Sequence, residues 1–249
     1  MKFSTNGLII RQQNIGEQDR LVWVLSDSHG VFRAFVKRAQ NIKSPKCAGT
    51  GLLCYSAMTV FEGRDSYTID EVAVREQFAG LRSDVVSLSL AQYFCELCLN
   101  LCPKEQDATE FLRLTLNSLY LLSKHLRDRE LVKFCYEMRL MELCGYMPDL
   151  VMCAGCGAYE KDEMTFSADS GRLYCADCAA VHRVQGIALP LSGVTALRHS
   201  VYADEKELFS FELKNPALLD RISRASESYL AHMTQKDYPT LSFYKGMRE

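Results

Sequence analysis

The feature that most constrains the fold of this chain is a doubled cysteine pair, Cys153-Ala154-Gly155-Cys156 and Cys175-Ala176-Asp177-Cys178. Two cysteines separated by two residues can turn both thiolates inward from one tight knuckle, and a second knuckle at this distance completes a four-sulfur cage. The spacing reads as a structural zinc site for one ion, with Cys153, Cys156, Cys175 and Cys178 as ligands. Catalytic zinc keeps a coordination position open for water, whereas four protein ligands close the sphere, so this metal is expected to hold a fold. Gly155, Gly157 and Gly171 suit two knuckles and the turn between them. Four unrelated thiols, or two disulfides, are the competing readings of the same residues.

Between the pairs, Met164-Thr165-Phe166-Ser167 and Gly171-Arg172-Leu173-Tyr174 read as short strands around an Asp169-Ser170-Gly171 turn. The other cysteines, of eleven in 249 residues, call for a reducing compartment rather than a disulfide framework. Gly7-Leu8-Ile9-Ile10-Arg11 is too short an apolar run for a signal peptide, and no segment approaches a membrane span. A cytoplasmic protein is expected. Cys95, Cys98 and Cys102 lie on an apolar helix and read as core, as do Cys135 and Cys144. Five histidines are scattered, with no HExxH, nucleophile elbow or P-loop, so the sequence offers no residue set for catalysis.

Residues 1–80 read as β. Leu21–Leu25 and Val31–Val36 flank Ser26-Asp27-Ser28-His29-Gly30, a loop of hairpin length ending in glycine. Met58–Phe61 and Tyr67–Arg75 make a second hairpin turning at Glu62-Gly63-Arg64-Asp65. With the strand Gly7–Ile10 this makes about five strands, matching an OB-fold barrel, although the count also suits an SH3-like barrel. Net charge is −2, so the whole chain gives no electrostatic signal of nucleic acid. Its distribution does. No acidic residue falls between Asp27 and Glu62, while Arg33, Lys37, Arg38, Lys43 and Lys46 all do. Phe32, Phe35 and Tyr55 are close in sequence, and cations with aromatic platforms are what single-strand binding uses.

From Leu81 the period becomes helical. Asp84 caps a stripe of Val86, Leu90, Phe94, Leu97 and Leu101, ended by Pro103. A second helix begins at Asp107 or Thr109, and a third runs from Asp128 to Gly145 with Pro148 beyond. Asn215-Pro216 opens another through Met233. The expected architecture is α+β and multidomain: an OB-fold barrel over 1–80, then a helical bundle formed by 81–150 and 181–249 with the zinc finger 151–180 inserted.

Gly7–Ile10, Gly16-Glu17-Gln18-Asp19-Arg20-Leu21-Val22, His29-Gly30, Lys37-Arg38-Ala39 with Lys43-Ser44, and Tyr136–Pro148 followed by the cysteine quartet together resemble the bacterial DNA repair protein RecO family. The resemblance covers residues 7–180 well, the last helices only weakly, and rests on the order of the motifs. It implies a non-enzymatic recombination mediator that binds single- and double-stranded DNA. It also implies annealing of complementary strands coated by single-strand-binding protein, and work with RecR to help load RecA at the nucleoid. Lys133 and Arg139 are candidates for the acidic C-terminal tail of single-strand-binding protein, which the family contacts on its helical domain. Where many members have glycine this chain has Arg38, and Gln40 replaces a common arginine. The alternative class is a zinc-containing protein-interaction adaptor or transcriptional regulator. A zinc hydrolase would need an open metal site.

Overall fold

Alternation of buried and exposed side chains sets the first unit. In β3 (Gly30–Val36), Phe32, Ala34 and Val36 point inward while Arg33 and Phe35 face out. β2 (Asp19–Ser26) and β3 form the expected hairpin, and β4 (Tyr55–Glu62) and β5 (Tyr67–Glu76) a second one. β1 (Lys2–Ile15) is far longer than the apolar run Gly7–Ile10 suggested. A bulge between Ile9 and Arg11 bends it, so that its first half pairs with β4 and its second half with β2. The closed order β1-β2-β3-β5-β4, with β3 parallel to β5, is that of an OB-type barrel. Ile9, Val22, Val24, Ala34, Met58, Val60 and Ile69 fill its interior.

This computed structural model describes residues 1–64 and 66–248; Asp65, expected in the β4–β5 turn, lies outside them. The chain divides into two units, Met1–Lys124 with Tyr238–Glu249, and His125–Asp237. These do not follow the divisions expected at 80, 150 and 180. The first unit contains the barrel, with α1 (Pro45–Gly49) between β3 and β4, and after it α2 (Ala79–Arg82), α3 (Val85–Leu101) and α4 (Thr109–Ser123). Asp84 caps α3 by accepting from the Val86 and Ser87 N–H groups at 3.1 and 3.2 Å.

The second unit holds α5 (Arg129–Leu143), then β6 (Asp149–Cys153), β7 (Glu163–Ser167), β8 (Arg172–Cys175), α6 (Ala176–Val181) and β9 (Ile187–Pro190). α7 (Leu191–Tyr202) and α8 (Pro216–Thr234) complete it. The four strands make one sheet, ordered β6-β8-β7-β9, and α5 packs against α7 and α8. α9 (Pro239–Arg248) returns to the first unit and lies along α3. Helices from before and after the cysteines therefore do join, in two groups rather than one bundle. Cys95 and Cys98 are buried in α3, the Cys98 sulfur lies 3.5 Å from Thr115 Oγ1, and burial raises the Cys95 thiol well above its usual range. Among the described residues no helix is long and apolar enough to cross a membrane.

Candidate nucleic-acid interface and metal centre

Register places three outward side chains of the barrel in one row. Arg11 of β1 is opposite Trp23 of β2, and Trp23 is opposite Arg33 of β3. Such cross-strand neighbours stand close enough to touch, and the Arg11 guanidinium sits 4.7 Å from the centre of the Trp23 ring. Phe35, two residues along the same face of β3, is 39% exposed. Arg64 from the β4–β5 turn and Lys104 from the segment after α3 face the same groove, whose volume is about 820 Å³. Its acidic members are Glu62, Glu96 and Glu105. Glu96 is occupied by the Thr240 hydroxyl and its N–H at the start of α9. The Tyr67 phenol is held above its usual pKa by burial, and further by Glu62 and Glu105.

Lys104 owes its position to the β2–β3 turn. The Val31 N–H donates to the Pro103 carbonyl at 2.8 Å, and the Glu105 N–H to the His29 carbonyl at 3.0 Å. Gly30 has φ of 59°, and a Cβ there would stand 2.2 Å from the Pro103 oxygen. Only glycine permits that approach.

The structure disperses the five cations expected to bind DNA. Arg33 lies in the groove, while Lys37, Arg38 and Lys43 are exposed on the loop that follows β3. The loop is tied to the β1–β2 turn, with the Arg38 N–H donating to Asp19 Oδ1 and the Gln40 amide donating to the Gly16 and Asp19 carbonyls. Lys46 is half-buried, its ammonium reaching the Ile69 carbonyl at 3.5 Å. Of the aromatics, Phe35 and Phe32 both line the groove, but Phe35 is exposed while Phe32 is buried and packs against Phe3 and Tyr67. Arg11, Trp23, Arg64 and Lys104 were not read from the sequence. Parity does not mark Trp23 in the sequence, because Leu21 and Leu25, which share it, are buried along with Val22 and Val24.

Lys133 and Arg139 require a correction. Lys133 is wholly buried, and its ammonium lies 3.0 Å from Glu137, 2.8 Å from Glu227 and 3.2 Å from the Ser223 hydroxyl. It has no surface to offer a partner's carboxylate. Arg139 is half-buried, and its guanidinium donates to the Ser200 and Ala203 carbonyls at 3.3 and 2.6 Å, closing the C-terminal end of α7. Its fork serves that helix end.

The cysteine quartet converges. All four sulfurs lie within 4.8 Å of one another, and Cys156 and Cys175 are 3.8 Å apart. A tetrahedron with metal–sulfur bonds of about 2.3 Å has edges of about 3.8 Å, and all four residues are free thiols rather than disulfides. The Cys175 N–H donates to the Cys153 sulfur at 3.2 Å. Burial raises the Cys153 pKa, but this donor and the N–H groups of Cys156 and Gly155 outweigh it and hold the thiol at about 6. A Cβ on Gly155 would stand 2.7 Å from the Cys178 sulfur, so the first knuckle needs glycine to close. The site suits one metal ion with no open position.

Two family models cover nearly all of this chain: Recombination protein O N terminal over residues 1–78, and Recombination protein O C terminal over residues 82–242. The chain belongs to the RecO family. The RecO models meet where β5 gives way to α2. Among curated relatives, a protein named DNA repair protein RecO from Acetivibrio thermocellus is 33% identical over 243 residues, covering 98% of this chain and 96% of the relative. Its namesake from Alkaliphilus metalliredigens is 28% identical over 247 residues, covering 98% and 99%. One from Roseiflexus is 29% identical over 250 residues, covering 99% of this chain and 86% of the relative. At Arg38, where this chain departs from the expected glycine, the backbone has φ of 56°, a conformation that favours glycine.

Proposed function

We propose that this protein is a DNA repair and recombination mediator whose barrel groove takes single-stranded DNA. The observation that carries the reading is the row Arg11–Trp23–Arg33 with Phe35 beside it and Arg64 and Lys104 across the groove. Strands 2 and 3 with the turn between strands 4 and 5 form the binding face of OB-folds. Cations there neutralise phosphates while Trp23 and Phe35 offer bases a stacking surface, neither of which reads sequence. Neutralising both strands lowers the repulsion that opposes their meeting, and base pairing then drives annealing without a catalytic residue.

Duplex DNA is the second ligand, with the exposed Lys37, Arg38 and Lys43 extending the charged surface beyond the groove. As a RecO-family mediator the protein anneals strands coated by single-strand-binding protein, docks that protein's acidic tail on the helical part, and helps load RecA together with RecR at the nucleoid in the cytoplasm. Its metal is a single structural zinc in the four-sulfur cage.

The test is annealing of complementary oligonucleotides precoated with single-strand-binding protein, with and without that protein's acidic tail. Acceleration that depends on the tail is expected. Absence of acceleration by folded, metal-loaded protein would refute the mediator reading in favour of an adaptor.

A further inference from the structure

A second, smaller hollow of about 300 Å³ lies within the first unit, away from the groove. Gln12, which lines it, follows Arg11 in β1, so strand alternation sends the two side chains to opposite faces. The residue that sets this hollow apart is Arg20. It is only 8% exposed, yet no carboxylate of the described residues lies within ion-pair distance of it. One guanidinium nitrogen, Nη1, donates to the Cys47 carbonyl at 3.1 Å and to Thr50 Oγ1 at 3.0 Å. Nε is buried without an acceptor, and Nη2 has no protein acceptor among the described residues.

A buried cation without a counter-ion is costly, because burial removes its hydration and neutral oxygens replace only part of it. Folded proteins accept such a group where an anion completes it. The remaining lining fits that role. Arg82 stands exposed at the end of α2, Gln77 and Gln92 add amides, and no acidic residue lines the hollow. Gln12 Oε1 accepts from the Leu52 N–H at 3.1 Å, which leaves its NH₂ group to donate. Leu53, Phe78 and Leu81 form an apolar wall that strengthens any charge pairing inside.

We infer that this hollow is a phosphate-binding site, with Arg20 as the buried anchor, Arg82 as the second cation, and Gln12 and Gln92 as amide donors. The phosphate is either free, as inorganic phosphate or a mononucleotide, or belongs to a nucleic-acid backbone held at a second point beyond the groove. The inference does not depend on the groove reading.

Titration calorimetry of the full-length protein with inorganic phosphate at constant ionic strength tests it. Saturable binding at one site is expected, lost in Arg20→Met. Arg82→Gln should weaken it about tenfold, as loss of a hydrogen bond to a charged group does. Because Arg20 also ties down the α1 segment, Arg20→Met is compared by circular dichroism, while the exposed Arg82→Gln leaves the fold intact and carries the test alone if needed. The source follows from a thymidine oligonucleotide: parallel loss of its affinity in both variants points to backbone phosphate, and unchanged affinity with lost phosphate binding points to a free ligand. No saturable phosphate binding, or equal binding by wild type and Arg82→Gln, would overturn the proposal.

Discussion

Replacing Lys133 by methionine removes the buried cation that three carboxylates face. Glu130 and Glu137 on α5 and Glu227 on α8 surround the ammonium, and Glu137 is as fully buried as the lysine itself. Ser223 donates to Glu130 and Ser226 to Glu137, which orders the acids but adds no charge. Burial alone would lower the Lys133 pKa; Glu137, Glu227 and Glu130 outweigh it and raise it above 10.5. A raised folded pKa on a base gives stability that is complete at neutral pH and disappears only as pH climbs through that value. Removing one partner of a buried ion pair costs about 3–5 kcal/mol, or about 10 °C in melting temperature for a chain of this size. Thermal melts at pH 7 measure it. A loss below about 1 kcal/mol, the range of an exposed lysine, would refute the buried network.

Four further outcomes follow from the same geometry. Metal removal by chelator, or Cys175→Ser, should open residues 151–180 to protease, because structural zinc contributes about 10–16 kcal/mol of apparent binding energy; an unchanged digestion pattern would contradict the cage. Gly30→Ala should destabilise the first unit in denaturant melts and weaken DNA binding together, since the new Cβ displaces Pro103 and with it Lys104; stability without loss would count against that strut. Arg38→Gly should raise stability by about 1 kcal/mol by relieving a left-handed backbone; a fall in melting temperature would contradict the strain. Arg139→Met should lower the melting temperature by freeing two carbonyls at the end of α7, and a neutral result would refute the capping role.

Much of this was legible because local chemistry sufficed. The two cysteine knuckles, the β2–β3 hairpin with Gly30, and the Asp84 and Asn215 caps are decided within a few residues, and the structure places them as read. Features that depend on distant chain were not. Glu130, Lys133 and Glu137 fall at three and four residues apart, the usual pattern of a solvated ion pair. Nothing near them announces that Ser223, Ser226 and Glu227 will cover them. Trp23 sits in the unbroken apolar run Leu21–Leu25, so its outward face is visible only once β1 and β3 flank it. The basic strip was contiguous in sequence but not in space, since the turn after Val36 carries Lys37, Arg38 and Lys43 toward the β1–β2 turn and leaves Arg33 behind. β6 and β9, of five and four residues, carry too little pattern to be seen without β8 and β7 beside them.

Trp23 is the single tryptophan of the chain, which makes its fluorescence a direct reporter of the groove. Titrating wild type with a thymidine oligonucleotide should quench it saturably, with a log–log salt slope of about −2.8 for four phosphates neutralised by Arg11, Arg33, Arg64 and Lys104. Alanine at those four positions should abolish most of the affinity and flatten the slope, while alanine at Lys37, Arg38 and Lys43 should leave the quench in place. Undiminished binding by the groove variant, with loss in the loop variant instead, would contradict the account.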